Sequence, residues 1–242
     1  MASGKKEKKI KYGNLTSDFA NLTSHQLRTP LSGMKWLLEL LQKSNTGNLN
    51  KKQKEFLEKI YYSNERMIAL VNDLLEVSRI EQGVSRLYLQ PTDLTIIIRD
   101  IIRNKGQAIK HKHLKVIFTT EEEPFPVVQT EPNKIRQVLY NLITNAITYI
   151  HDDGKVSIDL KVKGRNVLCS VADTGVGIPE DQQSLVFGKF FRGANVIQFE
   201  SIGTGLGLYI ARSFIEASGG KIWFESTEGR GTTFYFTLPI VK

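Results

Sequence analysis

PNKIRQVLYNLITNAITYI, residues 132–150, is the stretch on which the reading of this chain turns. Its opening proline and its apolar spacing predict a helix. With Asn141 set at zero on a helical wheel, Lys134, Gln137, Asn145 and Thr148 fall within about 40°, while Ile135, Leu139, Leu142, Ile143, Ala146 and Ile147 fill the opposite arc. One face is made for a core. The other presents the neutral amide oxygens of Asn141 and Asn145 one turn apart, a pair able to ligate magnesium beside phosphates without burying a charge. Taken alone, the same pattern also fits an ordinary polar helix face.

Two glycine-marked stretches add to it. DTGVGIP, residues 173–179, leaves a predicted strand. There Asp173 can accept from an adenine amino group, and Gly175 and Gly177 let the backbone approach a base. IGTGLGL, residues 202–208, opens a helix, and its run Gly203, Thr204, Gly205, Leu206, Gly207 and Leu208 offers free N–H groups suited to phosphate. A dinucleotide fingerprint is excluded because this run follows a long loop and no βαβ units continue it; a P-loop is excluded because no GxxxxGK occurs.

Around these motifs, DLTIIIRDIIRNKGQAIK reads as a helix, LKVIFTT as a strand, and KVSIDLKVKGRNVLCSVAD as two strands turning at Gly164-Arg165. A loop from about Thr174 to Thr204 precedes the helix LGLYIARSFIEASGG and a final hairpin around EGRG. The expected architecture for residues 92–242 is an α+β sandwich, helices on a mixed sheet, that binds a nucleotide. No internal repeat is evident.

The first part of the chain has a different texture. A helix is expected from about Ser17 to Lys43, a turn at SNTGN, and a second helix from about Asn50 to Ile80 stopped by EQG. Such an all-α hairpin cannot hide its wide apolar stripe alone, so a four-helix bundle with a second copy is the economical arrangement. The expected organisation is a basic tail over 1–16, the helical domain over 17–83, a linker over 84–91 and the catalytic domain over 92–242.

His25 in LTSHQLRTPLSG points away from that stripe: with His25 at zero, Met34, Leu38 and Leu41 lie at about 160–220°, whereas Thr29 lies at about 40°. A core histidine is therefore disfavoured. Pro30 cannot donate to the carbonyl of Gln26 and crowds it, so the turn bearing His25 should be loosened.

SDFANLTSHQLRTPL resembles the phosphoacceptor box of sensor histidine kinases, and VNDLLEVSRIEQG resembles the end of that family's second helix. IRQVLYNLITNAITYI, DTGVGIP, LVFGKFFRG, GTGLGLYIAR and GRGTTFYFTLP resemble, in order, the N, G1, F, G2 and final glycine boxes of the ATPase fold that these kinases share with Hsp90, type II topoisomerases and MutL. The resemblance implies an ATP- and Mg2+-dependent autokinase that phosphorylates His25 and passes the group to an aspartate on the receiver domain of a response regulator, working as a homodimer. It implies Asn145 as principal magnesium ligand with Asn141 beside it, Tyr149 near the phosphates, Asp173 reading adenine, Lys189 and Arg192 reaching phosphate oxygens from a mobile lid, and Thr232 in the final glycine box. Phe190 and Phe191 would anchor or release the lid against the core.

Two positions depart from the family pattern. The residue after the histidine is Gln26, where the family's glutamate accepts the imidazole's Nδ1 proton; an amide oxygen orients the ring but takes no proton. Thr148 stands where many members carry a lysine. The implied autokinase is therefore slowed. The alternatives are a module biased towards dephosphorylating its regulator, with Thr29 placing the water, and a catalytically silent ATP-binding scaffold.

Composition narrows the rest. The chain has 242 residues, 40% hydrophobic, with formal charge +8 from 33 Lys plus Arg against 25 Asp plus Glu. GKKEKKIKYG carries much of the excess, and no basic–aromatic interleaving points to nucleic acid. Cys169 in VLCSV reads as core, so no disulfide framework is drawn, and His111, His113 and His151 lack metal-ligand spacing. No signal-peptide pattern or apolar run long enough to span a bilayer is present, so a cytoplasmic chain is expected, compatible with the cytoplasmic portion of a membrane-anchored sensor.

Overall fold

The computed structural model describes residues 27–41, 49–83, 87–196 and 203–241. The chain divides into two compact units, Met1–Ser85 and Arg86–Lys242.

The first unit is a pair of helices, α1 over residues 27–41 and α2 over Lys51–Glu81. The remainder of the expected first helix, His25 and Gln26 included, lies outside the described residues. A capping box starts α2: the Asn50 side chain accepts from the Gln53 amide and the Gln53 side chain accepts from the Asn50 amide, both at 2.9 Å. Gly83, at φ +64°, ends it. Three polar contacts set the register of the hairpin. Arg28 donates to Asn72 at 2.6 Å, the Asn64 amide donates to the Leu31 carbonyl at 2.9 Å, and Lys35 pairs with Glu65 at 2.9 Å. Leu31, Leu38, Val71 and Leu75 are buried, but Leu37, Phe56 and Ile60 remain 54%, 51% and 52% exposed. The apolar stripe is thus only half covered within one copy, as expected for a hairpin that pairs with another.

The second unit starts with β1 (Gln90–Thr92), which pairs antiparallel with β3 (Val128–Thr130), a small sheet that local pattern alone does not reveal. Between them lie α3 (Leu94–Asn104), α4 (Gly106–His111) and β2 (Lys115–Thr120). The single helix expected over DLTIIIRDIIRNKGQAIK is a correction: it breaks at Lys105, φ −91° and ψ 4°. Gly106 follows directly, and glycine costs about 1 kcal/mol inside a helix, which makes this the cheap place to break. Asp93 caps α3 through the Thr95 amide at 2.7 Å.

Next come α5 (Pro132–Thr148), β4 (Lys155–Lys163), β5 (Asn166–Asp173), α6 (Gly207–Ala217), β6 (Lys221–Thr227) and β7 (Gly231–Pro239). The expected turn between β4 and β5 is present, with Gly164 at φ +63°. The long loop after β5 contains two 3₁₀ turns, Glu180–Leu185 and Ala194–Val196. The sheet runs β2-β4-β5-β7-β6, parallel between β2 and β4 and antiparallel elsewhere. This is the α+β sandwich on a mixed sheet.

Its core lies between the sheet and α5, which packs on α3, α6 and β5. Leu139, Leu142, Ile143, Ile158, Cys169 and Phe236 are at most fractionally exposed, each apolar side chain contributing about 1.5–3 kcal/mol on burial. Cys169 is the core residue the sequence suggested, and burial pushes its thiol pKa up.

Candidate functional site

Asp173 ends β5, and the chain then turns sharply under it. Its Oδ1 accepts from the amides of Gly175 at 2.8 Å and Thr232 at 3.3 Å. Burial drives its carboxyl pKa up to about 6, and the two amides oppose the shift without cancelling it. Below about pH 4 both folded and unfolded chains hold this proton; between about 4 and 6 only the folded chain does. Stability from this group is therefore present in acid and lost as pH rises through about 6, a cost on the order of 3 kcal/mol in neutral solution. Asp173→Asn keeps an oxygen for both amides and removes the charge. Urea unfolding should find the variant more stable than the parent at pH 8, with the gap closing towards pH 4; parallel pH profiles would contradict the buried carboxyl. An acid held at a cost in stability marks a site.

Glycine is required where the loops meet. A Cβ on Gly175 would collide with the Tyr149 carbonyl, one on Gly177 (φ +65°) with the Thr227 carbonyl, and one on Gly231 (φ +117°) with the Asp173 carbonyl. Tyr149 caps α5, and its carbonyl accepts the Val176 amide at 3.0 Å, tying the end of α5 to the DTGVGIP loop.

On the exposed side of α5, Asn141 and Asn145 are half-buried. The Asn141 amide nitrogen donates to the Gly207 carbonyl at 3.2 Å, leaving its Oδ1 for another partner and bringing the start of α6 to this face. No side-chain hydrogen bond engages Asn145 among the described residues. Among the described residues no side chain caps the first turn of α6, whose N–H groups are of the kind that suit an anion, while Leu206 is fully buried and the Thr204 hydroxyl accepts the Leu206 amide at 3.3 Å. Gly203 and Leu208 are half-buried beside it. The backbone of Phe190 lies directly against Gly205 (φ +73°), whose missing Cβ makes the contact possible. Lys189 is exposed, its ammonium 5.2 Å from the Tyr209 ring centroid, and Arg192 is half-buried.

The structure thus gathers Asp173, Gly175, Gly177 and Thr232 into one cluster, and Asn141 with the start of α6 into another, with Tyr149 linking the DTGVGIP loop to α5. Thr29 is exposed on α1 of the other unit. Sequence patterns missed the supports. Ser226 accepts the Ile178 amide at 2.9 Å and shares a hydrogen bond with the Thr232 hydroxyl at 2.9 Å; Asn195 donates to the Gly177 carbonyl at 3.1 Å. Phe187 packs on Phe224 and Phe234 at 5.9 and 6.4 Å between ring centroids, whereas the Phe190 side chain, read as an anchor, is 61% exposed. Phe187 is one of several aromatic residues in this loop, and spacing alone does not mark it.

Residues 130–242 match the family described as histidine kinase-, DNA gyrase B- and HSP90-like ATPase, and residues 16–83 match the His Kinase A (phospho-acceptor) domain. The catalytic domain of histidine kinase ThkA is 32% identical over 63% of this chain and 95% of its own, with a TM-score of 0.54. The chain belongs to the histidine kinase family. Full-length ShkA, solved in complex with AMPPNP, superposes with a TM-score of 0.75, 26% identical over 93% of the chain and 46% of ShkA. Sensor histidine kinase WalK of Bacillus subtilis is 37% identical over 92% of the chain. The chain spans about a third of its curated relatives, 36% of WalK and 30% of the circadian input-output histidine kinase CikA of Synechococcus elongatus. ThkA has also been solved with the response regulator protein TrrA, at 26% identity and a TM-score of 0.63, over 93% of this chain and 61% of ThkA.

The chain therefore pairs a region matching a phosphoacceptor domain with a region matching an ATPase domain. Among the described residues no helix is long and apolar enough to cross a membrane, and no cluster of three His, Cys, Asp or Glu offers a metal site. The polar face of α5 instead presents the neutral side-chain amides of Asn141 and Asn145, whose oxygens are of a kind able to ligate magnesium, beside the first turn of α6, whose backbone N–H groups suit phosphate oxygens.

Proposed function

We propose that this chain is the catalytic portion of a two-component sensor kinase: it transfers the γ-phosphoryl group of ATP to His25 and then to an aspartate of a response regulator. The observation that carries the reading is Asp173, a half-buried carboxyl held by two backbone amides beside a glycine-lined loop in a chain that matches this ATPase family. An adenine amino group would donate the hydrogen bond that this carboxyl lacks. Asn145, with Asn141 beside it, would hold magnesium, and magnesium there would neutralise charge on the β- and γ-phosphates. The open first turn of α6 would take phosphate oxygens, and Lys189 and Arg192 would reach them from the loop that packs on Gly205.

In the transfer, His25 Nε2 forms a bond to the γ-phosphorus as the bond to the bridging oxygen breaks, and ADP leaves with that electron pair. The imidazole's Nδ1 proton must depart. Gln26 orients the ring through its amide oxygen and leaves proton acceptance to water, which slows the step. Thr29, exposed on α1 one turn beyond His25, favours a second reading in which the chain is biased towards dephosphorylating its regulator by placing water. The half-covered apolar stripe of the hairpin supports a homodimer, and the ThkA–TrrA complex supports a receiver-domain partner. The proposal extends to a membrane-anchored parent sensor with this portion in the cytoplasm.

Incubation with magnesium and γ-labelled ATP should leave covalent label on the chain, and α-labelled ATP should leave none. Equal incorporation from both would mean nucleotidyl transfer, and absence of label despite tight ATP binding would favour the silent scaffold.

A further inference from the structure

Helix α5 ends without the usual devices. It has no basic residue in its last turn, and Tyr149, not glycine, occupies the cap at φ −92°, ψ 22°. Its last carbonyls carry the negative end of the helix dipole and need donors. One side chain from elsewhere supplies them. Lys112, just after α4, donates from Nζ to the carbonyls of Ile147 at 3.1 Å, Thr148 at 2.8 Å and Ile150 at 3.0 Å. An ammonium has three protons, and three carbonyls converge on it. The main chain of Lys112 is fixed as well: its carbonyl accepts the Asp153 amide at 2.9 Å, and its neighbour His113 adopts a left-handed φ of +52° to turn the chain into β2. Partial burial pulls the ammonium pKa down, with Asp152 opposing.

The caged carbonyls flank a residue that matters to the nucleotide face. Tyr149 sits between Thr148 and Ile150; its amide donates to the Asn145 carbonyl at 3.0 Å, and its own carbonyl accepts the Val176 amide at 3.0 Å and abuts Gly175. Gly175 in turn donates to Asp173. An unbroken series of contacts therefore runs from the Lys112 ammonium to the end of α5, to the DTGVGIP loop and to the half-buried Asp173 carboxyl.

Resting on the nucleotide-pocket reading above, we propose that Lys112 is a positioning residue for nucleotide binding: by holding the carbonyls of Ile147, Thr148 and Ile150 it keeps Asn145 and the Asp173 loop in mutual register while touching neither nucleotide nor metal. The cation near that turn comes from Lys112 and donates to backbone carbonyls. It serves geometry, not phosphate.

The test compares the full chain with Lys112→Met and Lys112→Arg, titrating magnesium-ADP by calorimetry and following amide hydrogen exchange. Lys112→Met keeps an apolar stem and deletes all three donors, so ADP affinity should fall roughly 10-fold or more. Exchange at Val176 should accelerate while Val171, in the middle of β5, stays protected. Lys112→Arg, whose planar donors can serve two of the three carbonyls, should fall between parent and Lys112→Met in both readouts. If Lys112→Met loses protection across the sheet, Lys112→Arg alone decides, through Val176 exchange and ADP affinity measured with Val171 still protected. Parental affinity in Lys112→Met, or in a folded Lys112→Arg with fast Val176 exchange, would overturn the proposal while leaving the pocket intact. Failure of the parent chain to bind ADP would overturn the pocket itself, and this proposal with it.

Discussion

Gln26→Glu should raise the single-turnover labelling rate at saturating ATP by ~10-fold to 10⁴-fold, the range that a positioned acid–base group supplies. The expectation follows from proton inventory. Attack by a neutral imidazole leaves a proton on Nδ1 that must go to a base as the N–P bond forms; a glutamate beside His25 takes it, an amide does not. Nucleotide affinity should change little, because residue 26 lies in the hairpin unit and the residues proposed to read adenine and hold magnesium lie in the other. Saturating, single-turnover conditions remove binding from the comparison. An unchanged rate would mean that proton acceptance does not limit this chain, and that glutamine beside the histidine instead alters the turn at Pro30 or the face offered to a regulator.

The second large effect concerns binding. Asn145→Ala and Asp173→Ala should each weaken magnesium-ATP binding by about 10- to 100-fold, the worth of one or two lost hydrogen-bonding or ligand contacts. Neither should unfold the chain. Asn145 is half-buried with no side-chain bond to lose among the described residues, and Asp173→Ala exchanges two amide bonds for relief of a buried charge. Isothermal titration alongside urea unfolding separates affinity from stability. Parental affinity in both variants would put the pocket elsewhere.

What could be read without coordinates was whatever lies close together in the sequence. The apolar arc of α5 and its paired asparagines are spaced by helix geometry, and Gly175, Gly177 and Gly205 stand in short runs whose composition announces a tight backbone. The break at Lys105 was not legible, because Ile101 and Ile109 keep an apolar pattern running on both sides of Gly106 and a single glycine does not by itself end a helix. The pairing of β1 with β3 joins residues almost forty positions apart and leaves no local period. The supports of the site escaped for the same reason. Ser226 is an ordinary strand serine until its hydroxyl meets Ile178 and Thr232, and Lys112 is one lysine in a basic run until three carbonyls at and just beyond the end of α5 close on it. The doubled Phe190-Phe191 is the more conspicuous feature of the sequence, whereas packing follows which side chain faces Phe224 and Phe234, and that is Phe187.

The central claim is that His25 receives the γ-phosphoryl group of ATP, and stability of the product bond tests it most directly. Chain labelled with γ-labelled ATP and magnesium is divided between acid and alkali, beside His25→Ala treated in the same way. A phosphoramidate on imidazole is lost in acid and survives alkali. The account predicts slow labelling with that signature, absent from His25→Ala; label that survives acid, or that persists after His25→Ala, would contradict it.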